Sequence, residues 1–155
     1  MPNILFVCLG NICRSPAAEA YFRYHVQARG LDHAFAIDSA GTGGWHAGEA
    51  ADARMRSAAQ QRGVRIDSRA RKIASSDADA DLIVVMDKAN LKDVTNLPWI
   101  DASRVRCLLE FHPESSRTEV PDPYYDGAEA FDLVLDLVDP ATSGLLDYLE
   151  ERGLD

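Results

Sequence analysis

The chain has 155 residues, of which 46% are hydrophobic and 26% charged, the proportions of a soluble globular protein long enough to bury its own core. A formal net charge of −9 excludes a broad nucleic-acid surface, which needs a basic stripe. It leaves room for a small phosphate-bearing substrate, because one local pocket can be positive inside an acidic protein.

The opening Met-Pro-Asn carries no basic residue, and the apolar run behind it is only about five residues long. That is too short for a signal core or a membrane span. The three cysteines are odd in number and widely spread, so a reducing, cytoplasmic setting is expected. Ile4 to Cys8 is apolar without alternation, the pattern of a parallel strand buried on both faces. Pro16 fits a first helical turn, and Ala17 to Arg29 has helical apolar spacing with Gly30 as its stop. Ala34 to Ser39 reads as a second strand and Glu49 to Arg62 as a second helix closed by Gly63. Asp81 to Met86 is another buried strand, Lys88 to Asn96 a short helix before Pro98, and Val105 to Leu109 a fourth strand. A polar loop then runs to a last helix, Ala128 to Glu151, interrupted near Pro140. No repeat, low-complexity tract or linker divides the chain, so residues 1–155 read as one domain.

Alternating strands and helices predict a three-layer α/β sandwich: a four-stranded parallel sheet with helices on both faces. Ligands of such sheets sit at the carboxyl ends of strands, near a switch in strand order. Cys8 stands at such an end, followed by Leu9, Gly10, Asn11, Ile12, Cys13, Arg14 and Ser15. Gly10 and Asn11 accept tight or left-handed backbone. The loop can therefore curl into a cradle of N–H groups at a helix N-terminus, with Arg14 as a fork for phosphate oxygens. Such a cradle binds a phosphate dianion and holds Cys8 as a thiolate nucleophile facing phosphorus. A metal site fits poorly, because Cys107 and the four histidines have no ligand-like spacing.

The segment "VCLGNICRSP" resembles the phosphate-binding loop of the low-molecular-weight protein tyrosine phosphatases. "DSAGTGGW" (Asp38 to Trp45) resembles that family's second loop, "VVMDKANL" (Val84 to Leu91) a later strand and turn, and "VPDPYYDG" its Asp-Pro segment. The likeness implies a phosphocysteine on Cys8, a transition-state clamp from Arg14 and a general acid in Asp122. It implies that Ser15 donates to the Cys8 sulfur and that Asn11 and Ser39 brace the loop. Ile12, Trp45, Tyr124 and Tyr125 become walls of a slot for an aryl ring. Cys13 becomes a redox partner for Cys8. No cofactor or metal is implied. The expected partners are tyrosine-phosphorylated proteins and phosphate mimics such as vanadate, met by a monomer that binds no nucleic acid.

One departure stands out. Ser68 occupies the place where the family often has a His supporting the loop Asn. Three rival functions fit the same scaffold. A thiol-dependent arsenate reductase needs further cysteines, yet Asp87 to Arg106 has none and Cys107 stands alone. A protein-arginine phosphatase resembles this loop but carries a small Thr where Ile12 stands. A non-catalytic phosphate-binding module does not need Cys8, Arg14 and Asp122 together.

Overall fold

The computed structural model describes residues 1–153. Four parallel strands, β1 (Asn3–Cys8), β2 (Ala36–Gly41), β3 (Leu82–Val85) and β4 (Val105–Cys107), form one sheet in the order β2-β1-β3-β4. Cys8 pairs with Gly41 on one side, and Val7 with Val85 on the other. The chain leaves β1 for one neighbour and returns to the other, so the order switches at the carboxyl end of β1. That end carries Cys8, and a crevice is expected there.

Strand periodicity sorts the core. Ile4, Phe6 and Cys8 face one layer, with buried residues of α1 (Arg14–Ala28), α2 (Ala53–Gln61) and α4 (Ala128–Glu151). Leu5 and Val7 face the other, with Ile83, Val85, Val105 and Val94 of α3 (Lys88–Thr95). The sheet is thus covered on both faces, which explains why its strands read as unbroken apolar runs.

The elements match the sequence reading in kind and differ at their ends. β2 lies two residues later than expected, because Ala34 N–H closes a turn onto Leu31 O at 2.9 Å. Ser39 is therefore inside the strand, opposite Phe6, and not at its end. α2 begins at Ala53 and not at Glu49, since the Asp52 carboxylate accepts from Arg54 N at 2.8 Å and caps it. β4 stops at Cys107, where Glu110 accepts the Cys107 N–H at 2.7 Å and a 3-10 turn spans Leu108–Phe111. The interruption expected near Pro140 is absent, and α4 is one helix through that residue. An interior proline costs roughly 3 kcal/mol. The buried stripe of Val134, Leu135, Val138, Ala141, Leu145 and Leu146 spans both sides of it and outweighs that cost.

Candidate active site

The site grows from the turn between β1 and α1. Asn11 sits at φ 57°, in the left-handed region, and bends the loop back over the strand end. Its N–H donates to Cys8 Sγ at 3.3 Å. The backbone N–H groups of Gly10, Ile12, Cys13, Arg14 and Ser15 reach no acceptor among the described residues. Four of those five residues, Ile12 to Ser15, are buried. Buried N–H groups rarely go unpaired, and α1 starts behind Cys13 with no side-chain cap. The donor set and the helix dipole together suit an anion. The loop packs against β2 so tightly that a Cβ on Gly41 would lie 2.8 Å from Leu9 O. Glycine is required there.

Side chains lock this turn. Asn11 Nδ2 donates to Ser15 Oγ at 2.8 Å and to Ser39 Oγ at 3.0 Å, while its Oδ1 accepts Arg71 N–H at 3.0 Å. Ser15 Oγ lies 3.0 Å from Cys8 Sγ. Because it accepts from Asn11, its own proton is free to point at the sulfur, with only a longer 3.4 Å contact to Ala40 O competing. The Ser39 hydroxyl donates to Glu19 Oε1 at 2.6 Å, and Arg23 donates to the other Glu19 oxygen at 2.9 Å. Ser68, where the family often has a His, takes no part. Its buried hydroxyl has no partner among the described residues, and Arg71 backbone and Ser39 support Asn11 instead.

Arg14 is buried and aimed by two acceptors. Its Nη1 donates to Asp87 Oδ2 at 2.5 Å and to Val120 O at 3.1 Å. That uses both Nη1 protons and leaves Nε and Nη2 for a ligand. Burial opposes the charge of the guanidinium, but Cys8 and Asp87 outweigh it and keep Arg14 charged. Asp87 also caps α3 by accepting Asn90 N–H at 2.7 Å, so the helix and the Arg14 guanidinium share one carboxylate. Asp122 Oδ2 stands 3.6 Å from Arg14 Nη2, and its side chain is 43% exposed. Its Oδ1 accepts Tyr124 N–H at 3.1 Å, an Asx turn before the tyrosines.

Cys8, Arg14 and Asp122 line one cleft of about 390 Å³ with Leu9, Ile12, Cys13, Trp45, Tyr124 and Tyr125. Tyr125 is 94% exposed and stands edge-on to Tyr124 at 4.9 Å. Arg54 lies over Tyr124 and Phe131, donates to Tyr124 O at 2.9 Å, and holds the Asp52 carboxyl below its usual range by hydrogen bonding. Burial, with the charges of Asp52 and Cys8, pushes the Cys13 thiol far above the ordinary thiol range. No group of three metal-binding side chains gathers among the described residues.

Sequence reasoning missed Glu19, Arg71, Asp87 and His46. Glu19 is four residues after Ser15, on the same helix face. Asp87 stands two residues past the end of β3 and directly before α3, the place of a cap. His46, which lines the cleft and pairs with Glu49 at 3.1 Å, gave no signal of its own.

Comparison with known proteins supports the geometry. The low molecular weight phosphotyrosine protein phosphatase family matches residues 3–153. A low molecular weight protein-tyrosine-phosphatase of Streptomyces coelicolor is 42% identical, over 97% of this chain and 94% of that protein. A protein tyrosine phosphatase from Entamoeba histolytica, solved with Hepes in its active site, superposes with a TM-score of 0.94 at 39% identity, covering 99% of each chain. A Drosophila arginine phosphatase superposes at 0.86 with 28% identity, over 95% of this chain and 97% of that one. With a matching profile over nearly its whole length and a relative of this identity, the chain belongs to the low molecular weight phosphotyrosine protein phosphatase family.

Proposed function

We propose that the protein hydrolyses phosphotyrosine in proteins, and small aryl phosphates, through a phosphocysteine on Cys8. One observation carries this reading: the turn after Cys8 presents N–H donors, mostly buried, that reach no acceptor among the described residues, and the Cys8 sulfur already accepts from Asn11 N–H. Such a donor set holds three phosphoryl oxygens and leaves sulfur in line with phosphorus.

In the first step Cys8 Sγ attacks phosphorus. The S–P bond forms as the P–O bond to the phenol breaks, and that electron pair leaves on the phenol oxygen. Asp122 delivers a proton to it. Arg14 spreads over the equatorial oxygens while charge shifts. In the second step water attacks phosphorus, Asp122 takes its proton, and the S–P bond breaks. The Ser15 hydroxyl, 3.0 Å from the sulfur, then stabilises the departing thiolate. Arg14 and the amides supply the positive potential, so no metal or cofactor enters the scheme. Ile12, Trp45, Tyr124 and Tyr125 wall the slot, and its depth favours a long flat side chain over phosphoserine.

Ile12 is bulky and buried beside the cleft, which suits an aromatic ring better than a guanidinium and ranks phosphoarginine below phosphotyrosine. Three free cysteines fit a reducing cytoplasm, and among the described residues no helix is long and apolar enough to cross a membrane. We take the working form to be a monomer acting on tyrosine-phosphorylated proteins and inhibited by vanadate.

The test is a panel of phosphotyrosine, phosphoserine and phosphoarginine peptides, with wild type and Cys8→Ser. Metal-free turnover of the tyrosine peptides is expected, with vanadate still bound but turnover lost in the variant. Retained turnover in Cys8→Ser sinks the phosphocysteine. Equal kcat/KM on phosphoserine sinks the slot, and a preference for phosphoarginine replaces the substrate.

A further inference from the structure

A second groove, of about 680 Å³, opens beside the cleft that holds Cys8. Leu9 and Trp45 line both spaces, so one wall divides them. Past that wall the groove is lined by Ile73, Leu97 and Trp99, with the Lys72 stem lying close over Gly44. The wall is tied to the phosphate loop, because Thr42 N–H donates to Cys8 O and Gly43 N–H to Leu9 O, each at 2.9 Å. The Trp45 ring folds over Gly43 so closely that a Cβ there would stand 1.9 Å from it. Even so, Trp45 is 70% exposed. An indole held in place with most of its surface in water is costly unless something covers it. The reaction at Cys8 uses only one side of this wall.

We propose that this groove seats an apolar side chain of the substrate, two or three residues from the phosphotyrosine. The inference rests on the phosphotyrosine reading above. With its phosphate at Cys8, the tyrosine brings its backbone to the rim formed by Leu9 and Trp45. An extended peptide advances about 3.3 Å per residue and turns alternate side chains to one side. Two residues span roughly 7 Å, enough to clear an indole ring and enter the groove. Leu97, Trp99 and Ile73 then bury that side chain, while Lys72 and Asp93, which make no ion pair among the described residues, face the peptide around it.

The experiment is a set of phosphotyrosine peptides with Leu or Ala at each position from −3 to +3. Wild type should prefer Leu at one position two or three residues from the tyrosine, by about tenfold in kcat/KM. Trp99→Ala and Leu97→Ala should reduce that ratio below about twofold, with hydrolysis of phenyl phosphate unchanged. The chain's two tryptophans are Trp45 and Trp99, and both line the groove. In the Cys8→Ser, Trp45→Phe protein, Trp99 emission should therefore change with the Leu peptide and not with phenyl phosphate. This reading stands even if Trp99→Ala fails to fold. No positional preference, or a preference that survives in Leu97→Ala with silent Trp99 emission, overturns the proposal. If wild type cleaves neither phenyl phosphate nor any phosphotyrosine peptide, the underlying function falls and takes the groove's role with it.

Discussion

Two loops meet at the cleft and are held in opposite ways. In the phosphate loop, Asn11 and Ser15 are buried and every polar atom of their side chains has a partner. In the acid loop, Asp122 is nearly half exposed and Tyr125 almost wholly so. That loop is pinned to the rest of the site by Val120 N–H on Met86 O at 2.8 Å and by donations from Arg14 and Arg54 to its carbonyls. On the proposed mechanism, holding the phosphoryl group is thus built into the core of the fold, and protonating the leaving group is done from the surface. Substitution in the first loop should therefore damage fold and chemistry together, and substitution in the second chemistry alone.

The largest separation is expected at Asp122. Asp122→Asn should lower kcat/KM on a phosphotyrosine peptide by ~10²–10⁴-fold, with Tm unchanged. A tyrosine phenol, with a pKa near 10, needs the proton as it leaves. A strongly acidic phenol does not, so its phosphate should lose far less. Equal losses across leaving groups move the acid elsewhere, with Asp126 the nearest candidate.

Asn11→Ala should behave in the opposite way. It puts a Cβ-bearing residue without side-chain polarity at φ 57°, a strain of about 1–2 kcal/mol, and it orphans the Arg71 N–H. Roughly 3 kcal/mol of stability should go in chemical denaturation, with an activity loss that ignores leaving-group pKa. Asn11→Gly should restore only the strain part. An unchanged denaturation midpoint in Asn11→Ala contradicts the division between the loops.

The smallest effect concerns Cys13 and asks how far the buried loop shields its own chemistry. If peroxide oxidises Cys8, a Cys8–Cys13 disulfide needs Cys13 as thiolate. Burial and Asp52 raise its pKa, so at neutral pH the thiolate fraction is small and grows about tenfold per pH unit. Disulfide formation, followed by mass spectrometry, should accelerate accordingly between pH 7 and 9. A flat profile, or recovery by dithiothreitol that is equal in Cys13→Ser, removes Cys13 from a protective role.

Much of this molecule can be read from its sequence, for physical reasons. The strands show as apolar runs because both sheet faces are covered. The stretch from Cys8 to Ser15 is legible because its parts are contiguous and each residue type has few backbone uses. The supports are not contiguous. Glu19, Arg71 and Asp87 come from three separate parts of the chain, and each alone reads as a solvated charge. Only the register of the sheet, which sets Ser39 opposite Phe6, brings Ser39 within reach of Asn11. Element ends are hard to read from the sequence where a capping side chain or a tight turn decides them, as Asp52 does for α2, Glu110 for the end of β4 and the Ala34–Leu31 turn for the start of β2. Pro140 misled for a different reason, since local backbone preference there is overruled by burial along α4.

Helices α2 and α3 each begin under a carboxylate of their own, Asp52 and Asp87. Helix α1 does not. On the proposed function, an anion seated on its first amides would do for α1 what Asp52 and Asp87 do for α2 and α3, and the ligand would act as a component of the tertiary structure. Folding and binding then become linked equilibria that draw on one set of donors. Occupancy at a hundred times Kd adds about 2.7 kcal/mol to the free energy of unfolding. Inorganic phosphate, the product of the proposed reaction, should by the same contacts raise the denaturation midpoint.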